Sequence, residues 1–266
     1  MSRPKILVTN DDGINSFFLK VLIEAFIERG CELYIAAPAK EQSWIGRAFS
    51  RWRTVSVERS ILFDVPAWVI DGTPSDCVNI ALSHLLPKKP DMVVSGINIG
   101  CNLGTPLILS SGTLAGAIEA AGWGLPAMAF SQQVNGSEQY AILRRKQGYC
   151  EGAQAVSLRA AAAHATRLAL EEIERAVVTE QRPLCVHNVN FPLETKPDTP
   201  VRATQLTYQP LGSLFEASGE GRYTFKFHAH DLPDKHEHSD IHTVFSGNIS
   251  FTTLDFQSLS RASAKT

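Results

Sequence analysis

The chain has few of the features that mark several classes of protein. Its 266 residues include five cysteines, which are scattered and never form a C-x-x-C pair, so neither a disulfide framework nor a zinc ribbon is indicated. Lys and Arg total 25 and Asp and Glu total 27, so bulk charge offers no attraction for a nucleic-acid duplex. The N-terminal residues lack the long apolar run of a signal peptide. We therefore expect a protein of a reducing compartment, the cytoplasm.

One stretch of the chain has no charged residue at all. The 27 residues from Met92 to Ile118 contain no Asp, Glu, Lys or Arg, and an uncharged segment of this length raises the question of a membrane span. Five glycines, Pro106 and several Asn, Ser and Thr interrupt it. Because a helix of that composition would be unstable in lipid, we predict no membrane span and no membrane partner.

The first 192 residues alternate between strand-like and helix-like segments. Short apolar runs that stop at Asn, Asp, Gly or Pro are typical of buried strands. The predicted strands are 5–9, 31–37, 68–70, 92–95, 127–130 and 184–190, and the predicted helices are 17–29, 74–85, 113–121 and 154–175. This alternation predicts a three-layer α/β/α Rossmann-like core with a mainly parallel sheet.

Residues 193–266 have a different character. They carry turn residues and short β-like runs at 223–227 and 244–251, without a convincing helix. We therefore predict an α/β core over residues 1–192 and a β-rich extension over residues 193–266.

Two adjacent carboxylates follow the first predicted strand. Asp11 and Asp12 lie between this strand and its helix, at the carboxyl edge where open α/β sheets bind ligands. A hard divalent cation relieves the repulsion between two such groups, although a loop selected only for its turn geometry explains the same residues. Ser43 lies in the loop after the second strand, on the same edge, where it can offer an oxygen to a shared ion.

The uncharged stretch adds small and polar residues to that edge. Asn98 follows a strand, and Ser111, Gly112 and Thr113 open a helix. Small residues let backbone N–H groups approach an anion, and a helix N-terminus favours negative charge. A phosphate pocket is one interpretation, although neither the P-loop nor the G-x-G-x-x-G pattern is present. Glycines for tight turns and Ser111 as a helix cap are the structural alternative.

Five of the eight histidines fall in one short segment. They are His228, His230, His236, His238 and His242. Paired histidines can chelate a transition metal, but residues 231–240 are polar and contain a proline. An exposed loop is therefore favoured over a metal site. The chain also lacks the G-x-S-x-G pattern of a serine hydrolase.

Several segments match, in order, the motifs of one known family. They are Ile-Leu-Val-Thr-Asn-Asp-Asp-Gly-Ile at 6–14, Ala-Pro at 37–38 with Glu-Gln-Ser at 41–43, Asp-Gly-Thr-Pro-Ser-Asp-Cys-Val at 71–78, Val-Val-Ser-Gly-Ile-Asn-Ile-Gly at 93–100, Asn-Leu-Gly at 102–104, Ser-Gly-Thr at 111–113 and Asn-Val-Asn-Phe-Pro at 188–192. With these motifs the chain resembles the SurE family, the survival-protein nucleotidases that remove phosphate from nucleoside monophosphates.

The resemblance implies a set of site residues. It implies one divalent metal ion per subunit, Mg or Mn, bound by Asp11, Asp12, Ser43 and Asn98. It also implies a phosphate pocket formed by Asn98, Ser111, Gly112 and Thr113. Asp11 and Asp12 are the implied catalytic residues, and Asp12 takes the more direct role as base or nucleophile. A homodimer or homotetramer that exchanges the C-terminal extension between subunits is implied as well.

The chain departs from the family pattern at three places. Trp44 follows Ser43 where a small residue is usual, with Arg47 and Arg51 beyond it; Pro106 and Ser110 stand where Asp and Tyr are common; and Glu119-Ala120 replaces Glu-Gly. None of these departures removes an implied metal or phosphate ligand. They leave the base and sugar specificity open.

Three functions are compatible with these patterns. The leading one is a metal-dependent phosphomonoesterase acting on nucleotides at the 5′ or 3′ position. The second is a nucleotide-binding or regulatory module with little turnover, motivated by Trp44 and Pro106. The third is a metal-storage or metal-sensing protein built on the histidine segment. The sequence does not determine the preferred nucleotide, polyphosphatase activity, the physiological metal, or dimer against tetramer.

Overall fold

The protein is described as a computed structural model that covers residues 3–178, 184–208, 210–227 and 236–259. The strands are β1 (Lys5–Thr9), β2 (Glu32–Pro38), β3 (Val57–Leu62), β4 (Val65–Ile70), β5 (Met92–Ile99), β6 (Ala127–Gln132), β7 (Cys185–Phe191), β8 (Val201–Thr204), β9 (Phe215–Gly219), β10 (Arg222–Phe225) and β11 (Ile249–Asp255). The helices are α1 (Phe17–Glu28), α2 (Pro74–Ile80), α3 (Thr105–Ser110), α4 (Gly112–Gly122), α5 (Gly136–Arg145), α6 (Gly152–Val178) and α7 (Asp240–Phe245). A π-helical turn, Ala81–Leu85, continues α2, and a 3-10 helix, Phe256–Leu259, follows β11.

Nine strands form one sheet in the order β3-β4-β2-β1-β5-β6-β7-β11-β8. The six strands from β4 to β7 in this order run parallel to one another. Strand β3 is antiparallel to β4, β11 is antiparallel to β7, and β8 is parallel to β11. The predicted α/β fold with a mainly parallel sheet is therefore confirmed.

Strand β1 shows why helices cover both faces of the sheet. Its side chains alternate, so that Ile6 and Val8 pack into the apolar cluster with α1 and α6. Leu7 points the other way and packs into the cluster with α2 and α4. All three side chains are fully buried, and each such burial stabilises the fold by about 1.5–3 kcal/mol.

The structure corrects the interpretation of residues 193–266. No helix was expected there, but Asp240–Phe245 forms α7, which begins at a capping bond from the His242 amide to the Ser239 hydroxyl. This helix is too short to produce a periodic pattern. The run predicted as β-like at 244–251 instead covers the end of α7 and the start of β11. Strands from both sides of residue 192 share the main sheet, and the domain boundary there stays a prediction.

Three other elements had no clear signal in the sequence. Strand β3 is almost entirely exposed at the sheet edge, so its residues do not alternate between apolar and polar. Helix α3 is short, with Pro106 in its first turn, and lies within the glycine-rich stretch. Helix α5 buries only Leu143. Since each element buries little apolar surface, the sequence pattern that identifies buried elements is absent from all three.

Helix α4 approaches the ends of the central strands closely. A Cβ at Gly116 would lie 2.9 Å from Cγ2 of Thr9 and 3.3 Å from Oγ of Ser95. Thr9 and Ser95 are the paired last positions of the β1–β5 ladder. The N-terminal half of α4 therefore lies beside the end of the β1–β5 ladder. Among the described helices, none is both long and apolar enough to cross a membrane.

Candidate active site at the carboxyl edge of the sheet

The loop after β1 holds two buried carboxylates. Oδ1 of Asp11 accepts a hydrogen bond from the Thr113 hydroxyl at 2.7 Å, and Oδ2 of Asp12 accepts one from the Ile99 amide at 3.0 Å. The Asn10 side chain closes the loop by bonding both the amide and the carbonyl of Gly13. Each carboxylate is thus oriented by a residue from a different segment of the edge.

Burial makes this carboxylate pair costly to ionise. Desolvation raises the pKa of Asp11, and it raises the pKa of Asp12 to about 7. The positive charge of Arg144 opposes both shifts, whereas the charge of Asp11 adds to the shift of Asp12. The pair therefore requires a nearby cation to hold both negative charges at neutral pH.

Ser43 lies on the same edge as the carboxylates. The amide of its neighbour Gln42 donates to the Asp11 carbonyl at 2.7 Å, which fixes the loop after β2 against the loop after β1. We call Asp11, Asp12 and Ser43 the acidic part of the site.

Arg144, which the sequence patterns did not indicate, completes the acidic part. Its guanidinium donates to Oδ1 of Asp12 and to Oγ of Ser43, and it lies 3.5 Å from the Glu41 carboxylate. Its Nε and Nη2 atoms both donate to the Tyr140 hydroxyl at 2.9 Å. The spacing of Tyr140 and Arg144 on one helical turn is the only local signal, and it does not reveal that they contact residues more than 100 positions away.

Asn98, Ser111, Gly112 and Thr113 form the neutral part of the site. Asn98 lies at the end of β5 rather than in the following loop, beyond an irregularity in the pairing between Ser95 and Asn98. Its Nδ2 donates to the Gly100 carbonyl at 2.7 Å, whereas its Oδ1 is buried without a partner. Ser111 caps α4 by accepting from the Leu114 amide at 3.1 Å, as the structural alternative predicted.

Gly112 brings the two parts into contact. A Cβ at this position would lie 2.7 Å from Cβ of Asp11 and 2.7 Å from the Gln42 carbonyl oxygen, which is closer than side chains pack. Only glycine lets the first turn of α4 approach the acidic loop without displacing it. The Thr113 hydroxyl then reaches Asp11 from the same turn.

A network of amides supports the loop that follows Asn98. The Asn102 amide donates to Oδ1 of Asn190 at 2.8 Å, and the Asn102 carbonyl accepts from the side chains of Asn188 and Asn190. The Asn102 side chain continues the network to Ser131 and Thr113. The Asn-Val-Asn segment at 188–190 therefore holds this loop in place from strand β7.

The residues at this edge fit a divalent metal in their chemistry. Asp11, Asp12, Ser43 and Asn98 supply carboxylate, hydroxyl and amide oxygens, the ligands that Mg²⁺ and Mn²⁺ prefer. The buried Oδ1 of Asn98 has no hydrogen-bond donor, and a cation would satisfy it. The Arg144 guanidinium is the cation that contacts Asp12 and Ser43 in this structure.

The histidine segment is only partly described. His228 and His230 lie outside the described residues. Within the described ranges, no three side chains of His, Cys, Asp or Glu gather as a metal cluster. His242 of α7 lies near Ser246, the residue after that helix, with 3.3 Å between Nε2 and Oγ.

Two of the residues that depart from the family pattern, Trp44 and Arg47, contact other segments of the protein. The Trp44 ring packs edge-on against Phe225 and Phe227 at 4.9 Å between centroids, which links the Ser43 loop to the C-terminal extension. Arg47 pairs with the buried Glu119 at 2.5 Å. The segment after β4 is a helix start, as expected, with Thr73 as the cap.

A cavity of about 270 Å³ opens beside the acidic part. Its walls include Asp12, Glu41, Ile99, Arg144 and Gln147. One face of the Asp12 carboxylate region is therefore accessible to a small ligand.

Residues 6–213 match the family model described as "Survival protein SurE". The chain belongs to the SurE family. The 5′-nucleotidase SurE of Methanosarcina acetivorans is 34% identical, with 98% of this chain and 95% of that protein aligned. The 5′-nucleotidase SurE of Cytophaga hutchinsonii is 49% identical over 49% of this chain and 51% of its own length. The crystal structure of the SurE protein from Aquifex aeolicus superposes with a TM-score of 0.72 at 26% identity, covering 95% of this chain and 93% of that one.

Proposed function

We propose that this chain is a divalent-metal-dependent nucleotidase that hydrolyses nucleoside monophosphates to nucleoside and phosphate. By family membership it is a hydrolase of the nucleotidase type. The observation that carries the proposal is the contact between Asp11, one of the two adjacent buried aspartates, and the first turn of α4. A cation-binding group and an anion-binding group are thus adjacent, as phosphate-ester hydrolysis requires.

The metal ligands of the proposal are Asp11, Asp12, Ser43 and Asn98, with one Mg or Mn ion per subunit. When bound, such an ion polarises the phosphoryl oxygens and neutralises the charge that develops during transfer. The unpartnered Oδ1 of Asn98 supports this set.

The proposed phosphate contacts come from the first turn of α4. The N–H groups at a helix N-terminus favour an anion. The Ser111 hydroxyl accepts from Leu114, so its own hydrogen remains available to a phosphate oxygen. The Thr113 hydroxyl already donates to Asp11, so Thr113 contributes its backbone rather than its side chain.

Asp12 is the residue that acts on the water or the phosphorus. The Ile99 amide holds one of its oxygens, which leaves the other directed toward the cavity side where Arg144 lies. Both roles, general base and nucleophile, use this same oxygen.

The proposal includes a cytoplasmic location and assembly into a homodimer or homotetramer. The five cysteines are free thiols, which supports a reducing compartment such as the cytoplasm. The hairpin β9–β10 pairs with no other strand among the described residues and exposes Phe215 and Tyr223. These apolar side chains support a homodimer or homotetramer that exchanges the extension.

A phosphate-release assay tests the proposed activity. Asp12→Asn should lower phosphate release from nucleoside monophosphates with Mn²⁺ by about 100-fold or more, and circular dichroism should show an unchanged fold. Asp71→Asn, which changes an exposed aspartate paired with Arg53, is the matched control and should retain wild-type activity.

Two results would contradict this function. Full activity in EDTA would rule out metal dependence. Nucleotide binding by the wild-type protein without phosphate release would favour the low-turnover module. The structural reason to consider this module is that Arg144 contacts two of the proposed metal ligands, Asp12 and Ser43.

A further inference from the structure

Arg144 occupies a position that the proposed function assigns to a metal ion. Its guanidinium contacts the carboxylate of Asp12 and the hydroxyl of Ser43 at once. These are two of the four proposed metal ligands. The side chain is 16% exposed, so the guanidinium is enclosed by the site rather than lying at its entrance.

The guanidinium and a metal ion compete for these two oxygens. Both are cations, and Oδ1 of Asp12 and Oγ of Ser43 each direct a lone pair at the guanidinium N–H groups. A divalent cation such as Mg²⁺ would need oxygen ligands at about 2.0–2.1 Å that converge on one point, whereas a planar guanidinium fills the space between the oxygens with its own N–H donors. Metal binding through these same two atoms would therefore favour withdrawal of Arg144.

The surroundings of Arg144 allow its side chain to move while its backbone stays fixed. Its neighbour Leu143 is buried in the core, and the Gln147 carbonyl just beyond α5 accepts from the Phe17 amide at 2.7 Å. The Arg144 side chain also lines the cavity beside Asp12. A rotation of the side chain alone can therefore carry the guanidinium from the acidic part into the cavity.

We propose that Arg144 is an exchangeable counter-cation of the acidic part, and that the divalent metal displaces its guanidinium into the neighbouring cavity. The inference rests on the proposed function for the identity of the metal ligands. It makes Arg144 a positioning residue that keeps Asp12 and Ser43 together without metal and sets the affinity for metal.

Tyr140 holds the guanidinium beside Asp12 and Ser43. Its hydroxyl accepts from both Nε and Nη2, and its ring lies 5.1 Å from the guanidinium carbon. Loss of this hydroxyl should loosen Arg144 without removing its charge. Tyr140→Phe is therefore a second and milder variant for the same test.

The experiment measures Mn²⁺ binding to metal-free protein by electron paramagnetic resonance, in which free Mn²⁺ is observed and bound Mn²⁺ is not. Arg144→Ala should bind Mn²⁺ about tenfold more tightly than wild type, since hydrogen bonds to a charged group no longer have to be broken. Tyr140→Phe should tighten binding by about threefold. Arg145→Ala removes an exposed arginine at the adjacent position and should leave the affinity unchanged.

Each other outcome has a defined meaning. Weaker or unchanged Mn²⁺ binding in both Arg144→Ala and Tyr140→Phe overturns the inference, because a residue that only supports the fold or the ligands cannot improve affinity when removed. If Arg144→Ala does not fold, Tyr140→Phe decides alone. Asp12→Asn separates the two proposals. If this variant binds Mn²⁺ as tightly as wild type, the proposed metal site is wrong. If it loses Mn²⁺ binding while Arg144→Ala and Tyr140→Phe gain no affinity, only the exchange of Arg144 for the metal is rejected.

Discussion

The acidic and neutral parts of the site are built by different physical means. In the acidic part, the side chains of Asp12 and Ser43 are joined by a charged group, the Arg144 guanidinium of helix α5. In the neutral part, Thr113 and the loop at Asn102 are fixed by uncharged hydrogen bonds to one another and to Asn190. Charged ligands need a counter-ion, and counter-ions can be exchanged. We therefore expect the contacts of the acidic part to change when a ligand binds, and those of the neutral part to be in place before binding.

Gly112→Ala should produce the largest effect, because this residue is where the two parts meet. The added methyl group would lie 2.7 Å from both Cβ of Asp11 and the Gln42 carbonyl oxygen. Backbone has to shift to accommodate it, which we expect to lower the free energy of unfolding by about 1–3 kcal/mol. Phosphate release should fall strongly as well. Urea unfolding and a phosphate assay measure the two effects.

Gly122→Ala, at the other end of the same helix, is the control. Its nearest neighbour atom is 4.0 Å away, so the change should be neutral or raise stability by up to about 1 kcal/mol. If Gly112→Ala behaved as this control does, the two parts would not be in contact.

Asn190→Ala tests whether the neutral part is formed in advance. Its side chain is fully buried and satisfies both the amide and the carbonyl of Asn102. Removing it should lower the free energy of unfolding by about 2 kcal/mol, because buried polar groups lose their partners. KM for the nucleotide should rise more than the Mn²⁺ affinity falls. Asn248→Ala, which loses only an exposed bond to the Ser246 carbonyl, is the control.

An equal loss of Mn²⁺ affinity and substrate affinity in Asn190→Ala would contradict the comparison. It would mean that the neutral network also positions the metal ligands, and that the two parts act as one unit.

The site residues at the carboxyl edge of the sheet could be predicted from sequence, because the end of a buried strand is visible as the end of an apolar run. Asp11, Asp12 and Asn98 all follow buried apolar runs, and parallel strands bring such positions to one edge. The fold class followed from the same runs. Thr73 and Ser111 were recognisable as helix caps from the residue type and its place before a helix.

Arg144 and Tyr140 could not be predicted in the same way. Helix α5 has no apolar face beyond Leu143, so nothing local indicates where it packs. Contact with Asp12 depends on the full path of the chain around the sheet. Likewise, the Asn-Val-Asn-Phe-Pro motif at 188–192 was visible, but the bonds from Asn188 and Asn190 to Asn102 depend on the order of the sheet, in which β6 lies between β5 and β7.

The smallest predicted effect concerns the hydroxyl that joins the two parts. Thr113→Val removes the bond to Oδ1 of Asp11 and should lower the free energy of unfolding of the metal-free protein by about 1–2 kcal/mol. The bond favours the ionised carboxyl and lowers the pKa of Asp11. The loss should therefore be smaller at a pH below the raised pKa of Asp11 than at a pH above it, because only the ionised form gains fully from the donor. Thr113→Ser keeps the hydroxyl and should show little of this pH dependence. A stability loss of the same size at both pH values would show that Thr113 acts by packing, and that the link between the acidic and neutral parts is steric, through Gly112, rather than electrostatic.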